Sequence, residues 1–134
     1  MNIFPFPFAV GNIDTSGKLF LGAESNTGTN SLVTDNGYGY IEINFINLPA
    51  VIKDDLINKI RLIKIDVEGF EPDVVNSISK LLSKVNNCIL IIEINKNCGL
   101  IKIKNMYELF GKLGFAAQKG CHIELDQYNE IFSK

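Results

Sequence analysis

A run of branched apolar residues that stops abruptly in carboxylates constrains this chain more than any other feature. From Ile60 to Glu71 the sequence reads IRLIKIDVEGFE, with Ile60, Leu62, Ile63, Ile65 and Val67 broken only by Arg61 and Lys64 before Asp66. Such a segment fits a parallel strand covered on both faces. Asp66, Glu68 and Glu71 then fall at its carboxyl end and in the turn beyond, where open α/β sheets bind their ligands. After the turn, Pro72 pre-sets helical φ and Asp73 suits the positive end of a helix dipole. Val74, Val75, Ile78, Leu81, Leu82 and Val85 recur at helical spacing, which predicts an amphipathic helix ending near Asn86-Asn87. Cys88 to Ile94 (CILIIEI) is a second strand of buried type. Strand, helix and strand within about 35 residues form a βαβ unit, so the two strands are expected to be adjacent and parallel.

The segments on either side are shorter and more polar. Phe4 to Val10 alternates aromatic residues with Pro5 and Pro7, so at most its end is a strand, and then an edge one. Asp14-Thr15-Ser16-Gly17 signals a turn into a strand at Lys18 to Leu21. Glu24 to Ser31 (ESNTGTNS) reads either as a surface loop or as part of a ligand pocket. Tyr40 to Ile46 alternates as YIEINFI and puts Ile41, Ile43 and Phe45 on one face of a half-buried strand. Leu48 to Lys59 has helical spacing with Pro49 in its first turn. Beyond the βαβ unit, Lys104 to Leu113 predicts a helix with Met106, Leu109, Phe110 and Leu113 inward and Gly114 as its C-cap. Phe115 to Gln118 and His122 to Leu125 then read as an antiparallel hairpin, with the last residues to Lys134 carrying no signal.

Composition narrows the function. The 134 residues are one domain's worth of chain, and 46% hydrophobic content is enough for a real core. Thirteen basic against fifteen acidic residues give a net charge of -2, without the basic field that grips phosphate backbones, so nucleic acid is excluded as a partner. No apolar run reaches the roughly 18 residues of a membrane span, and MNIFPFPFAV lacks the basic start of a signal peptide. The chain therefore reads as soluble and cytoplasmic, with no membrane partner. Cys88, Cys98 and Cys121 show no CxxC pairing, which points to free buried thiols rather than a disulfide or zinc site.

Neighbouring parallel strands lie about 4.8 Å apart, so acids at their carboxyl ends can reach one ligand. Glu93 is the acid on the second strand, and a dry, unpaired carboxylate there would cost several kcal/mol. Asp66, Glu68 and Glu93 together could hold a hard divalent cation or orient a substrate hydroxyl. The same acids admit structural roles: Asp66 as a helix cap, Glu68 as a partner of Lys64 or Arg61, and Glu93 as the point where a strand meets water. Gly69 allows either a tight turn or a close backbone approach by a ligand.

LIKIDVEGFEPDVV at Leu62 to Val75, then a helix, then IIEIN at Ile91 to Asn95, resembles the FkbM family of S-adenosylmethionine-dependent methyltransferases. The similarity runs back through AVGNIDTSGKLFLGAESNTGTNSLV at Ala9 to Val33 and forward to Lys112-Leu113-Gly114-Phe115. The resemblance implies a partial class I methyltransferase (Rossmann-like) α/β sheet, mainly parallel, with a carboxyl-terminal antiparallel hairpin and strand order 3-2-1-4-5-7-6. Ile60 to Val67 would be its fourth strand and Cys88 to Ile94 its fifth. It implies S-adenosylmethionine as cofactor, with Asp66 and Gly69 touching it. The acceptor would be a hydroxyl on a sugar or other small metabolite. Asp66, Glu68 and Glu93 would be the catalytic acids, and a divalent metal on the same three is the variant reading. The family's glycine-rich cofactor loop has no counterpart, since Gly37 and Gly39 neither follow a strand nor open a helix.

That departure leaves the Ile60 to Val67 strand without the neighbour that would cover its edge. Open apolar edges recruit another chain. Self-association or a partner chain at that edge, or amino-terminal strands rearranged to cover it, is therefore expected. A non-catalytic α/β module that completes its sheet with a partner is the alternative to an enzyme.

Overall fold

The computed structural model describes residues 3–12, 15–118 and 127–134. The strands are β1 (Ala9–Val10), β2 (Ser16–Phe20), β3 (Tyr40–Ile46), β4 (Leu62–Ile65), β5 (Ile89–Asn95), β6 (Ala116–Ala117) and β7 (Gln127–Ser133). The helices are α1 (Leu48–Val51), α2 (Asp54–Ile57), α3 (Glu71–Ser77), α4 (Ser79–Lys84) and α5 (Leu100–Leu113). A three-stranded sheet has the order β1-β3-β2 and a four-stranded sheet the order β4-β5-β7-β6.

Both sheets are mixed. β1 runs parallel to β3 and β4 parallel to β5, whereas β2–β3, β5–β7 and β6–β7 are antiparallel. Two mixed sheets thus stand where one mainly parallel sheet was expected. The βαβ expectation holds in its essentials, because β4 and β5 are adjacent and pair from Leu62↔Ile89 to Ile65↔Ile92. β3 has the bounds its alternation predicts, and β1 is a two-residue edge strand just after the prolines, which cannot donate to a ladder.

The core forms on one side of the larger sheet. Leu90, Ile92 and Ile94 of β5 and Phe132 of β7 meet Val74, Val75, Ile78, Leu81, Leu82 and Val85 from the α3–α4 segment and Met106 and Phe110 from α5. The Phe110 and Phe132 rings lie 4.5 Å apart, which makes this aromatic pair the centre of the layer. Glu130 is the discordant member of that face, only 5% exposed, with its Oε2 buried and unpartnered. On the opposite face Leu62, Ile89 and Ile131 stay 57%, 47% and 44% exposed. The expectation that β4 is covered on both faces is therefore corrected: the helices cover one face only.

Helices are less regular than their spacing predicts. The single helix expected over Leu48 to Lys59 is two single turns, because Ile52 and Lys53 are both extended. The helix after Pro72 breaks at Ile78 (φ -96, ψ 10), yet Ile78 still donates to the Val74 carbonyl and Leu82 to that of Ile78, so the apolar stripe stays in line. α5 starts at Leu100, earlier than the expected Lys104, and ends on Gly114 in the left-handed conformation as expected. Of the terminal hairpin, β6 is present and its partner is β7, in the tail that carried no signal. His122 to Leu125, Cys121 and Asp14 lie outside the described residues. Among the described residues Cys88 and Cys98 are free thiols, Cys88 buried, and no helix is long and apolar enough to cross a membrane.

The small sheet abuts the start of α3. Phe45 of β3 fits between two glycines, since a Cβ at Gly11 or Gly17 would come within 2.8 or 2.6 Å of its ring, and it meets Phe70 edge-on at 6.1 Å. No strand pairs the outer edge of β4 among the described residues, so the amino-terminal strands do not cover it by backbone pairing.

Candidate functional site

Beyond the last paired residues of β4 and β5 the chain turns at Val67–Phe70, where the Phe70 N–H donates to the Val67 carbonyl at 3.3 Å. Both central residues have positive φ, 51° at Glu68 and 100° at Gly69, the sign pattern of a mirror-image type I′ turn. Gly69 suits such a position. Glu68 does not, and a left-handed non-glycine costs about 1–2 kcal/mol that surrounding contacts must offset.

Three side chains supply those contacts. Glu71, only 1% exposed, accepts the Val67 N–H at 3.0 Å and the Gly69 N–H at 3.1 Å on its Oε1. The Cys98 thiol lies 3.4 Å from Glu71 Oε2 and 3.2 Å from the Gly69 carbonyl. From the other side, the Ser31 hydroxyl donates to the Glu68 carbonyl at 3.1 Å while accepting the N–H groups of Val33 and Thr34.

This turn gathers the acids. Asp66, Glu68 and Glu93 each offer a carboxylate oxygen, and these oxygens all lie within 4.8 Å of one another. Lys64 binds Asp66 at 2.6 Å rather than Glu68, and Arg61 donates to the carbonyls of Asn58 and Ile60, which corrects the ion pairing considered for Glu68. Asp66 is no helix cap either: α3 begins after Phe70 with no side-chain cap bond.

The electrostatics follow from this crowding. Burial, reinforced by Asp66 and Glu71, pushes the Glu68 carboxyl above the usual carboxylate range. Burial likewise raises Glu93, against a hydrogen bond from Gln127 and with help from Asp66, Glu68 and Glu71, and its Oε2 is buried without a partner. Lys64 is raised by its hydrogen bond to Asp66, and the Cys98 thiol is pushed up to about 11 by burial and then by Glu71, so it stays protonated as a donor.

Two cavities flank the cluster. A polar one of about 290 Å³ is lined by Thr29, Ser31, Asn36, Glu68, Asn95 and Lys102 among others. The other, about 260 Å³ and mostly apolar, lies between β1 and β4, where Val10, Leu48, Ile63, Ile65 and Val67 line it together with Asp66. Glu68 faces the first cavity and Asp66 the second. Gly69 also lines the polar cavity, and a Cβ there would meet Val33 at 3.3 Å.

Reading the sequence alone brings Glu71 to the ligand-binding end of the strand and Ser31 into a loop with a pocket alternative, but gives neither a contact in this site, and it does not find Cys98. Glu71 is one acid among three in the run, with nothing local to show that it points back into the fold. Ser31 sits in the polar loop, of which Thr29 and Ser31 line the polar cavity, and Cys98 is spelled like any core thiol. A family model for the methyltransferase FkbM domain matches residues 6–116 of the chain. No curated protein and no solved structure matches it.

Proposed function

Since the chain belongs to the FkbM methyltransferase domain family, we propose that it moves the methyl group of S-adenosylmethionine to a hydroxyl oxygen of a sugar or similar small metabolite. The strand order β4-β5-β7-β6 supports this, being that of the fourth, fifth, seventh and sixth strands of a class I methyltransferase sheet. The observation that carries the proposal is Glu68, a carboxylate of raised pKa held in a costly backbone conformation at the wall of the polar cavity.

The residues present fit the cofactor. The apolar cleft suits the flat face of a nucleoside and the Asp66 carboxylate at its rim can accept from ribose hydroxyls, whereas Gly69 lines the polar cavity. Bound there, S-adenosylmethionine would supply an electrophilic methyl group on a sulfonium. In the polar cavity the hydroxyl and amide groups of Thr29, Asn36 and Asn95 suit a polyhydroxylated acceptor. Glu68 would accept the acceptor's hydroxyl proton and so free the acceptor oxygen for the methyl group that the bound cofactor would supply, the methyl–sulfur bond pair staying with the sulfur. Asp66 and Glu71, as neighbouring acids, raise the basicity of Glu68, and Asp66 keeps Lys64 neutralised beside it.

A second reading has the three acids hold a divalent cation that orients the acceptor hydroxyl. Their mutual approach and the unpartnered Glu93 Oε2 favour it. Calorimetric titration with S-adenosylmethionine, followed by a methyl-transfer assay of Glu68→Gln, tests the main proposal. Binding with a loss of about 10²–10⁴-fold in kcat is expected. No binding would leave the sheet-completing, non-catalytic module, which the unpaired edge of β4 supports.

A further inference from the structure

We infer that Glu71 is a positioning residue for Glu68, and that with Cys98 it forms an internal clamp fixing the turn that carries the proposed base. This rests on the role given to Glu68 above.

Glu71 is the first residue of α3, where a carboxylate ordinarily faces solvent and favours the helix dipole or its own first-turn N–H groups. Here it points backwards and is fully buried. Both N–H groups bound by its Oε1 belong to the residues on either side of Glu68, and its Oε2 faces the Cys98 thiol. The lysines Lys64 and Lys102 pair with Asp66 and Asp73 rather than with Glu71. A buried carboxylate is costly unless its oxygens are bonded, and Oε1 of this one is bonded by the turn itself while Oε2 meets the thiol that also reaches the turn. Glutamate lacks the short side chain by which asparagine or aspartate settles at positive φ, so the clamp is what keeps Glu68 there. Gly69 completes the fit, its carbonyl lying 3.2 Å from the Cys98 sulfur.

An electrostatic role and a positioning role make opposite demands on Glu71. Glu71→Gln keeps an acceptor oxygen where Oε1 stands but removes the charge; Glu71→Asp keeps the charge but withdraws it by one methylene. If Glu71 positions the turn, Glu71→Gln retains slow amide exchange at Val67 and Gly69 and most of kcat. Glu71→Asp speeds exchange at those two amides at least tenfold and lowers kcat at least tenfold. KM for S-adenosylmethionine and the slow amides of Leu90 and Ile92 stay unchanged in both. The reverse ranking, or exchange at Val67 and Gly69 that neither substitution changes, overturns the inference. If the unaltered chain transfers no methyl group, the functional reading fails, while the exchange ranking still decides the clamp.

Discussion

The Ser31 hydroxyl reaches across 37 positions of sequence to donate to the Glu68 carbonyl at 3.1 Å. That bond joins the loop lining the polar cavity to the turn carrying the proposed base. Because Ser31 is buried and also accepts two N–H groups, Ser31→Ala leaves partners unsatisfied. It should cost about 1–3 kcal/mol by denaturant unfolding and raise KM for the acceptor more than KM for the cofactor. Equal effects on both constants would argue that the loop does not shape the acceptor cavity.

Replacing Glu68 should separate stability from activity. Asparagine accepts positive φ more readily than glutamate, so Glu68→Asn is expected to gain about 0.5–1 kcal/mol while losing methyl transfer. A variant that is both less stable and inactive would show that Glu68 serves the fold.

Burial holds the Glu130 carboxyl above its ordinary value of 4.5. With the folded pKa above the unfolded one, the protonated form is favoured by folding. The stability it carries is complete below pH 4.5 and falls away as pH rises through the folded pKa. At neutral pH, then, Glu130 weakens the fold. Glu130→Gln should raise stability at about pH 7 by about 1 kcal/mol and give no gain at about pH 4. Thermal unfolding across that range measures it, and a pH-independent difference would contradict the assignment.

For the cation reading, manganese or magnesium ions should raise the melting temperature. An ion at ten times its Kd adds about 1.4 kcal/mol. The shift should vanish in Glu93→Gln, whose unpartnered Oε2 is the best-placed empty ligand atom. An unchanged melting temperature at millimolar metal removes this reading.

Along β4 the Arg61 carbonyl accepts the Ile89 N–H, so by alternation the backbone groups of Leu62 and Lys64 point away from β5. Lys64 would blunt this edge, but Asp66 already neutralises it. The chain is expected to self-associate with rising concentration in light scattering. Leu62→Lys should shift it toward monomer. A wild-type chain that stays monomeric at every concentration would show the edge to be protected.

Periodic signals carried most of what was legible beforehand. The β4–β5 unit, the bounds of β3 and the inward stripe of Val74 to Val85 follow from residue spacing. The breaks at Ile78 and at Ile52–Lys53 involve no glycine or proline, so tertiary packing decided them. β7 was hidden because its inward series Tyr128, Glu130, Phe132 has a carboxylate in the middle. The three site acids were legible because strand ends dictate where they arrive; what holds them was not, since the direction of the Glu71 side chain depends on a cysteine 27 positions away.

Among the described residues no backbone ladder crosses from the small sheet to the large one, and the polar cavity takes walls from both sides of that seam. Its gape is governed by the Ser31 hydroxyl and by side-chain contacts such as Phe45 on Phe70. These can slip where rows of hydrogen bonds would lock. A change in the width of that cavity would therefore leave the pairing within each sheet intact.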